Sequence, residues 1–207
     1  MQIQKITGGP LPTNCYFLTD DKTGQTAVID PGFFDTRLEQ AAQQHDVRKI
    51  LLTHGHFDHI TGVHRLAELT GAQIYMDAAE SNFPTDGTLN LSASMSLPPI
   101  EPFQPNMLLH DGDTIPLGNL TIQVLHTPGH TCGGCCYLVG DALFSGDTVM
   151  CGTVGRTDFP TGSYEDIINS AQRIASLAGN DRVLPGHELE TTLDWERQNN
   201  PYMEVKK

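Results

Sequence analysis

Positive charge is scarce in this chain: 12 Lys and Arg stand against 25 Asp and Glu, a formal net charge of −13 over 207 residues. A far field of that sign repels phosphate backbones and anionic lipid surfaces, so neither nucleic acid nor membrane is expected as a partner. Long apolar runs are also missing. No stretch approaches the roughly 20 residues that span a bilayer, and Met1 to Pro10 has neither the charged nor the apolar region of a signal peptide. Cysteines are few and odd in number, Cys15, Cys132, Cys135, Cys136 and Cys151, which suits reduced thiols better than a disulfide framework. A cytoplasmic protein is the resulting expectation. With 38% hydrophobic residues the chain can bury a substantial core, and a single domain over 1–207 is the economical division. No repeat, coiled coil or linker boundary interrupts it.

What the chain does have is a dense group of metal-ligating side chains. Thr53-His54-Gly55-His56-Phe57-Asp58-His59 follows an apolar run, and imidazoles with a carboxylate at that spacing suit zinc, iron or manganese. Three further segments supply partners: Thr127-Pro128-Gly129-His130-Thr131, Ser145-Gly146-Asp147-Thr148 and Pro185-Gly186-His187-Glu188. Each follows a run that reads as a strand, at Lys49 to Thr53, Thr121 to Leu125, Ala142 to Phe144 and Arg182 to Leu184. Loops leaving strand ends are where rigid scaffolds carry chemistry, so the pattern implies one shared crevice. Five histidines and two aspartates match a binuclear site in which one aspartate bridges. Two bound divalent ions would bring the formal charge from −13 to −9 (−13 + 4) and make the crevice attractive to an anionic substrate.

Strand-like runs open the chain at Gln2 to Ile6, Cys15 to Thr19 and Thr26 to Asp30. Helical spacing predicts helices at Thr36 to His45, from Asp58 and His59 to a stop at Gly71, from Tyr164 to Leu177 with Ser163 as N-cap, and from about Leu189 to Gln198. Strands are expected at Ile50 to Leu52, Gln73 to Met76, Thr114 to Pro116, Leu120 to Leu125 and Cys136 to Val139. The segment Ala79 to Pro105, rich in Ser, Pro and Asn, reads as a long surface excursion that leans over the crevice.

The motif His54-x-His56-x-Asp58-His59 followed by His130, Asp147 and His187 strongly resembles the metallo-β-lactamase superfamily, and Asp30-Pro31-Gly32 and the intervening strands fit as well. Gly155-Arg156-Thr157-Asp158-Phe159 and Asn200-Pro201-Tyr202 look most like its single-domain, glyoxalase-II-like (hydroxyacylglutathione hydrolase-like) bacterial hydrolases. The resemblance implies an α/β fold, a four-layer αββα sandwich with the metals at one edge. It implies two divalent metal ions, zinc first, with iron or manganese compatible. His54, His56 and His130 would hold one ion, Asp58, His59 and His187 the other, and Asp147 would bridge. It further implies attack of a bridging hydroxide, which Asp58 helps orient or activate, on a small acyl thioester such as S-lactoylglutathione. A thiolate leaves without a strong acid, and no obvious acid is present outside the donor set. Two-domain glyoxalase II enzymes grip glutathione with an added C-terminal domain, and the chain runs only about 20 residues past His187. Arg156 is then the expected basic substrate contact, through a carboxylate.

Rival readings stay open at this stage. Persulfide dioxygenases share much of the motif and use one iron, and a non-catalytic metal-binding protein could use the same scaffold. Antibiotic hydrolysis and nuclease activity fit less well, given the absent secretion signal and the acidic charge. Cys132-Gly133-Gly134-Cys135-Cys136 contains a Cys-x-x-Cys, but without a second pair it reads as small residues packing beside a ligand loop. Arg156 could equally be a structural partner of Asp158, and Asp30 reads as a support for a ligand. His45, His64, His110 and His126 read as non-ligands, and Phe33 and Phe34 as core. The oligomeric state is left open.

Overall fold

The computed structural model describes residues 1–95 and 100–203, so residues 96–99 of the excursion lie outside the described residues. Strands β1 (Gln2–Gly8), β2 (Thr13–Thr19) and β3 (Gln25–Ile29) open the chain as an antiparallel meander. Helix α1 (Thr36–Gln44) leads to β4 (Asp46–Leu51), then α2 (Phe57–Ile60) and α3 (Val63–Thr70) lead to β5 (Gln73–Asp77), each crossover joining parallel neighbours. The three-residue β6 (Met107–Leu109) completes a sheet ordered β1-β2-β3-β4-β5-β6.

The second half builds a similar sheet. β7 (Thr114–Leu117), β8 (Leu120–His126), β9 (Cys135–Val139) and β10 (Ala142–Gly146) pair antiparallel in turn, and a small hairpin, β11 (Val149–Met150) and β12 (Thr153–Val154), stands apart. Helix α4 (Tyr164–Ala175) returns the chain to β13 (Arg182–Pro185), which lies parallel to β10. β14 (Thr191–Thr192) and α5 (Leu193–Asn199) follow. The order is β14-β13-β10-β9-β8-β7.

Period-two alternation assigns β2 to two different cores. Phe17 faces Leu38, Val63 and Leu66 of α1 and α3. Tyr16 and Leu18 face Ile122, Val124, Tyr137 and Phe144 of the other sheet. Beyond that sheet Leu125, Cys136, Leu143 and Val183 meet Ala171, Ile174 and Leu193 of α4 and α5. The layers run helix, sheet, sheet, helix, the four-layer αββα sandwich that the resemblance implied. Central strands buried on both faces explain the near-continuous apolar runs, and each fully buried Leu or Ile contributes about 1.5–3 kcal/mol.

Two helices depart from their expected limits by more than two residues or are broken. The helix after His56 is broken into α2 and α3 at Gly62, where a Cβ would come within 2.1 Å of the Phe33 carbonyl oxygen; the close approach of the Pro31–Phe33 turn stops the helix. The last helix begins at Leu193 rather than Leu189, because Thr191 and Thr192 pair with β13 first and Thr192 then caps α5 by accepting from the Trp195 N–H. Within the excursion, Ala78–Glu80 and Phe83–Thr85 form single 3₁₀ turns, too short for helical periodicity to reveal.

Candidate metal centre

Four strand ends converge on one edge of the sandwich. β4 delivers His54 and, at the N-cap and first turn of α2, His56, Asp58 and His59; β8, β10 and β13 deliver His130, Asp147 and His187. The parallel pairing of β10 with β13 brings Asp147 and His187 side by side, with the Gly186 N–H donating to the Gly146 carbonyl at 2.8 Å. Gly186 permits this approach, since a Cβ there would lie 2.4 Å from Asp147 Oδ1 and 2.6 Å from His59 Cε1.

The donors fall into three overlapping groups, each with its ligand atoms within 4.8 Å of one another: His54, His56 and His130; His54, His59 and Asp147; and Asp58, His59 and His187. All seven residues named from the sequence are brought together here. Asp147 stands between the outer groups, with Oδ1 3.5 Å from His59 Nε2 and Oδ2 3.6 Å from both His130 Nε2 and His187 Nε2. His187 Nε2 lies 3.2 Å from Asp58 Oδ2.

Supporting contacts aim the rings. Asp30, in a left-handed turn at φ 50°, accepts from the Thr53 N–H at 2.8 Å and the Thr53 hydroxyl at 2.6 Å, and holds His59 Nδ1 at 2.9 Å. His130 Nδ1 donates to the Arg156 carbonyl at 2.7 Å, and His187 Nδ1 to the Pro12 carbonyl at 3.1 Å. Each contact engages Nδ1 and so turns Nε2 toward the other donors. His54 Nε2, His56 Nε2 and Asp147 Oδ1 are buried without hydrogen-bond partners. Unpartnered buried acceptors are costly, and a cation removes the cost, so the nitrogen and oxygen donor set fits divalent metal ions.

The two outer groups are electrostatically unlike. Burial, reinforced by the neighbouring imidazoles, pushes His54 far below the usual histidine range and, chiefly with His130, brings His56 down to about 2. Burial also acts against charge on His59, but Asp58, Asp147 and Asp30 overrule it and raise the ring to about 10. The same balance raises His187, through its hydrogen bond to Asp58 and then Asp147. Asp58, which burial alone would raise, is held at about 2 by His59 and His187.

The donors open into a cavity of about 570 Å³ whose lining includes Leu91, Ser94 and Met95, so the excursion does lean over the crevice. Arg156 lines it too, with Nε 2.6 Å and Nη2 2.5 Å from the two carboxylate oxygens of Asp158 and its guanidinium 4.1 Å from the Phe159 ring centre. Its carboxylate-binding fork is therefore engaged by its own neighbour.

The other candidates stay outside. His45 bonds the Ala41 carbonyl, His64 lies beside Glu68, His110 is exposed, and His126 bonds the Cys132 carbonyl. Cys135 and Cys136 are buried, their thiols directed at the Leu52 and Ser145 carbonyls and pushed up by burial, as packing residues. Phe33 belongs to the core and Phe34 packs on it.

Two supports went unread in the sequence. Asn14 donates its backbone N–H to the Gly186 carbonyl at 2.7 Å and its amide to the Pro185 and Glu188 carbonyls, while the Tyr16 hydroxyl also bonds Pro185. A lone amide inside an apolar strand was the available signal. Glu80, fully buried, accepts from the Gly133 N–H at 3.1 Å beside the His130 loop, and burial pushes its carboxyl up to about 7. Nothing in its local sequence marks it.

The sequence profile of the metallo-beta-lactamase superfamily matches residues 8–187. The hydroxyacylglutathione hydrolase GloC of Haemophilus influenzae is 31% identical over 212 residues, covering 100% of both chains. The probable polyketide biosynthesis zinc-dependent hydrolase BaeB of Bacillus velezensis is 34% identical over 93% of this chain and 82% of its own. Among solved structures, the B3 metallo-beta-lactamase BLEG-1 superposes with a TM-score of 0.92 at 31% identity, over 99% of this chain and 100% of that one. The protein TTHA1623, crystallised in a di-iron-bound form, gives 0.86 at 32% identity, over 96% and 99%. Among the described residues no helix is long and apolar enough to cross a membrane. Profile, relatives and fold agree with the converging histidines and aspartates: the chain belongs to the metallo-beta-lactamase superfamily, whose members are mostly hydrolytic metalloenzymes.

Proposed function

We propose that the chain is a binuclear hydrolase that cleaves a small acyl thioester such as S-lactoylglutathione, with zinc as its resident ion. The observation that carries this reading is the position of Asp147, its two oxygens 3.5 and 3.6 Å from ring nitrogens of the two outer donor groups. His54, His56 and His130 would hold one ion, Asp58, His59 and His187 the second, and Asp147 both. Ions bound there supply Lewis acidity and a water of lowered pKa.

The chain's own residues do the rest. Asp58 carries the charged carboxylate at the cavity wall, held ionised by His59 and His187, and accepts a hydrogen bond from the attacking water. The water oxygen bonds to the carbonyl carbon and the carbon–sulfur bond breaks. One proton ends on the thiol and the other is released as the new acid ionises. Outside the donor set, no acidic side chain is found among the described residues lining the cavity. A thiol leaving group needs no such acid, which supports a thioester over an amide. The full-length similarity to GloC supports the same substrate class, and the zinc-dependent BaeB supports the metal.

The partner in this reading is a small molecule in the cytoplasm, with neither nucleic acid nor membrane engaged. The test is metal analysis of the purified protein coupled to a thioester panel, with His56→Ala and Asp147→Ala as controls. Two metals per chain and thioesterase activity lost in both variants is the expected result. A fully metallated protein that hydrolyses no thioester but consumes oxygen with glutathione persulfide would overturn the reading.

A further inference from the structure

Beyond the donors the cavity is walled by carbon. Leu11, Leu91, Met95, Met150, Val154 and Phe159 line it, and outside the donor set Ser94 and Arg156 are the only polar side chains among the described lining residues. Arg156 is already balanced by Asp158 and stacked on Phe159. The lip is itself apolar and wet, Met95 being 51% and Leu11 40% exposed. An apolar rim that solvent touches in the free protein gains most from a ligand that covers it. Glutathione offers the opposite chemistry, two carboxylates and an ammonium, and among the described lining residues Arg156, the one guanidinium or lysine ammonium, has its fork taken. The 570 Å³ of space is several times what a lactoyl group fills.

From this lining we propose that the cavity selects its thioester by a medium-length hydrocarbon acyl chain, which lies against Leu91, Met95, Met150 and Phe159, and that the thiol carrier stays outside and adds little discrimination. The inference rests on the thioesterase reading and moves its preferred substrate from a lactoyl group on glutathione to a hydrocarbon acyl chain on any thiol carrier.

The experiment uses the metal-loaded protein and two carriers, glutathione and N-acetylcysteamine, each esterified with acetyl, lactoyl, butanoyl and hexanoyl groups. The expected result is a kcat/KM that rises about three- to fourfold per added methylene up to hexanoyl, with the same slope on both carriers. In parallel, calorimetry with the non-hydrolysable S-methyl, S-butyl and S-hexyl thioethers of N-acetylcysteamine reads binding without turnover, and affinity should climb with chain length. Met95→Gln and Leu11→Gln, both at exposed positions that leave the core intact, should lower hexanoyl kcat/KM about fivefold more than acetyl. A flat or falling chain-length series, or a preference for glutathione at every acyl group, overturns the inference and leaves the thioesterase reading standing. Thioether affinity that climbs with length while no thioester is hydrolysed overturns the thioesterase reading and keeps the apolar selectivity.

Discussion

The two outer donor groups both rely on histidine, yet the fold shifts the proton affinity of their rings in opposite directions. His54 and His56 are enclosed among imidazoles and stay neutral, with unpartnered ring nitrogens. His59 and His187 sit among Asp58, Asp147 and Asp30, which raise both rings and hold His59 in the charged, ion-paired form. The difference teaches that ligand identity does not set readiness for metal. His54 and His56 offer lone pairs at once, whereas His59 must release a proton before it can coordinate.

Asp147 is the residue that should break the distinction outright, because both groups lean on it. Asp147→Ala is expected to lower kcat/KM at least about 10³-fold and to deplete metal from both groups. His56→Ala should deplete the first only, as counted by metal analysis after dialysis.

A smaller effect sharpens the contrast from one side. Asp30→Asn weakens the orientation of His59 directly and reaches His54 only through the Thr53 hydroxyl, so metal affinity of the second group should fall about 10–100-fold and that of the first by clearly less. Competition against a chelator measures both steps, and equal losses in the two groups would contradict the asymmetry.

Protons give the contrast a sign. In the metal-free protein His56, lowered to about 2, contributes stability that is present above its unfolded value of 6.5 and lost as pH falls below it. His59, raised to about 10, contributes stability that is present below 6.5 and lost as pH rises through 10. Each slope is at most about 1.4 kcal/mol per pH unit. Urea melts between pH 5 and 9 should show His56→Gln flattening the acid limb and His59→Gln the alkaline one. Metal uptake by the second group should release protons near neutral pH, read as a buffer-dependent heat.

The least effect is expected at the far wall. Asp158→Asn frees the Arg156 fork, and KM for a succinyl thioester should fall severalfold while the metal content of both groups is unchanged.

The candidate donor set was legible in the sequence because metal chemistry restricts residue type so narrowly: the side chains of His54, His56, Asp58, His59, His130, Asp147 and His187 converge. The layers were legible because β2 to β5 and β8 to β13 are mostly apolar runs with turns between them. Protonation was not legible, since His56 and His59 differ only in what folds around them. The break at Gly62, inside the expected helix, depends on Pro31 and Phe33, which only the fold brings against it. Glu80 and Asn14 act across sequence separations of 53 and 171 residues, which no local pattern carries.

Each sheet brings part of the donor set, residues 54–59 from the first and 130, 147 and 187 from the second. During synthesis the first sheet's four ligands emerge well before any of their partners. One group can close once residue 130 has left the ribosome; the other waits for residue 187. Full metal capture therefore waits for β13, and a nascent protein stalled before it carries an incomplete donor set.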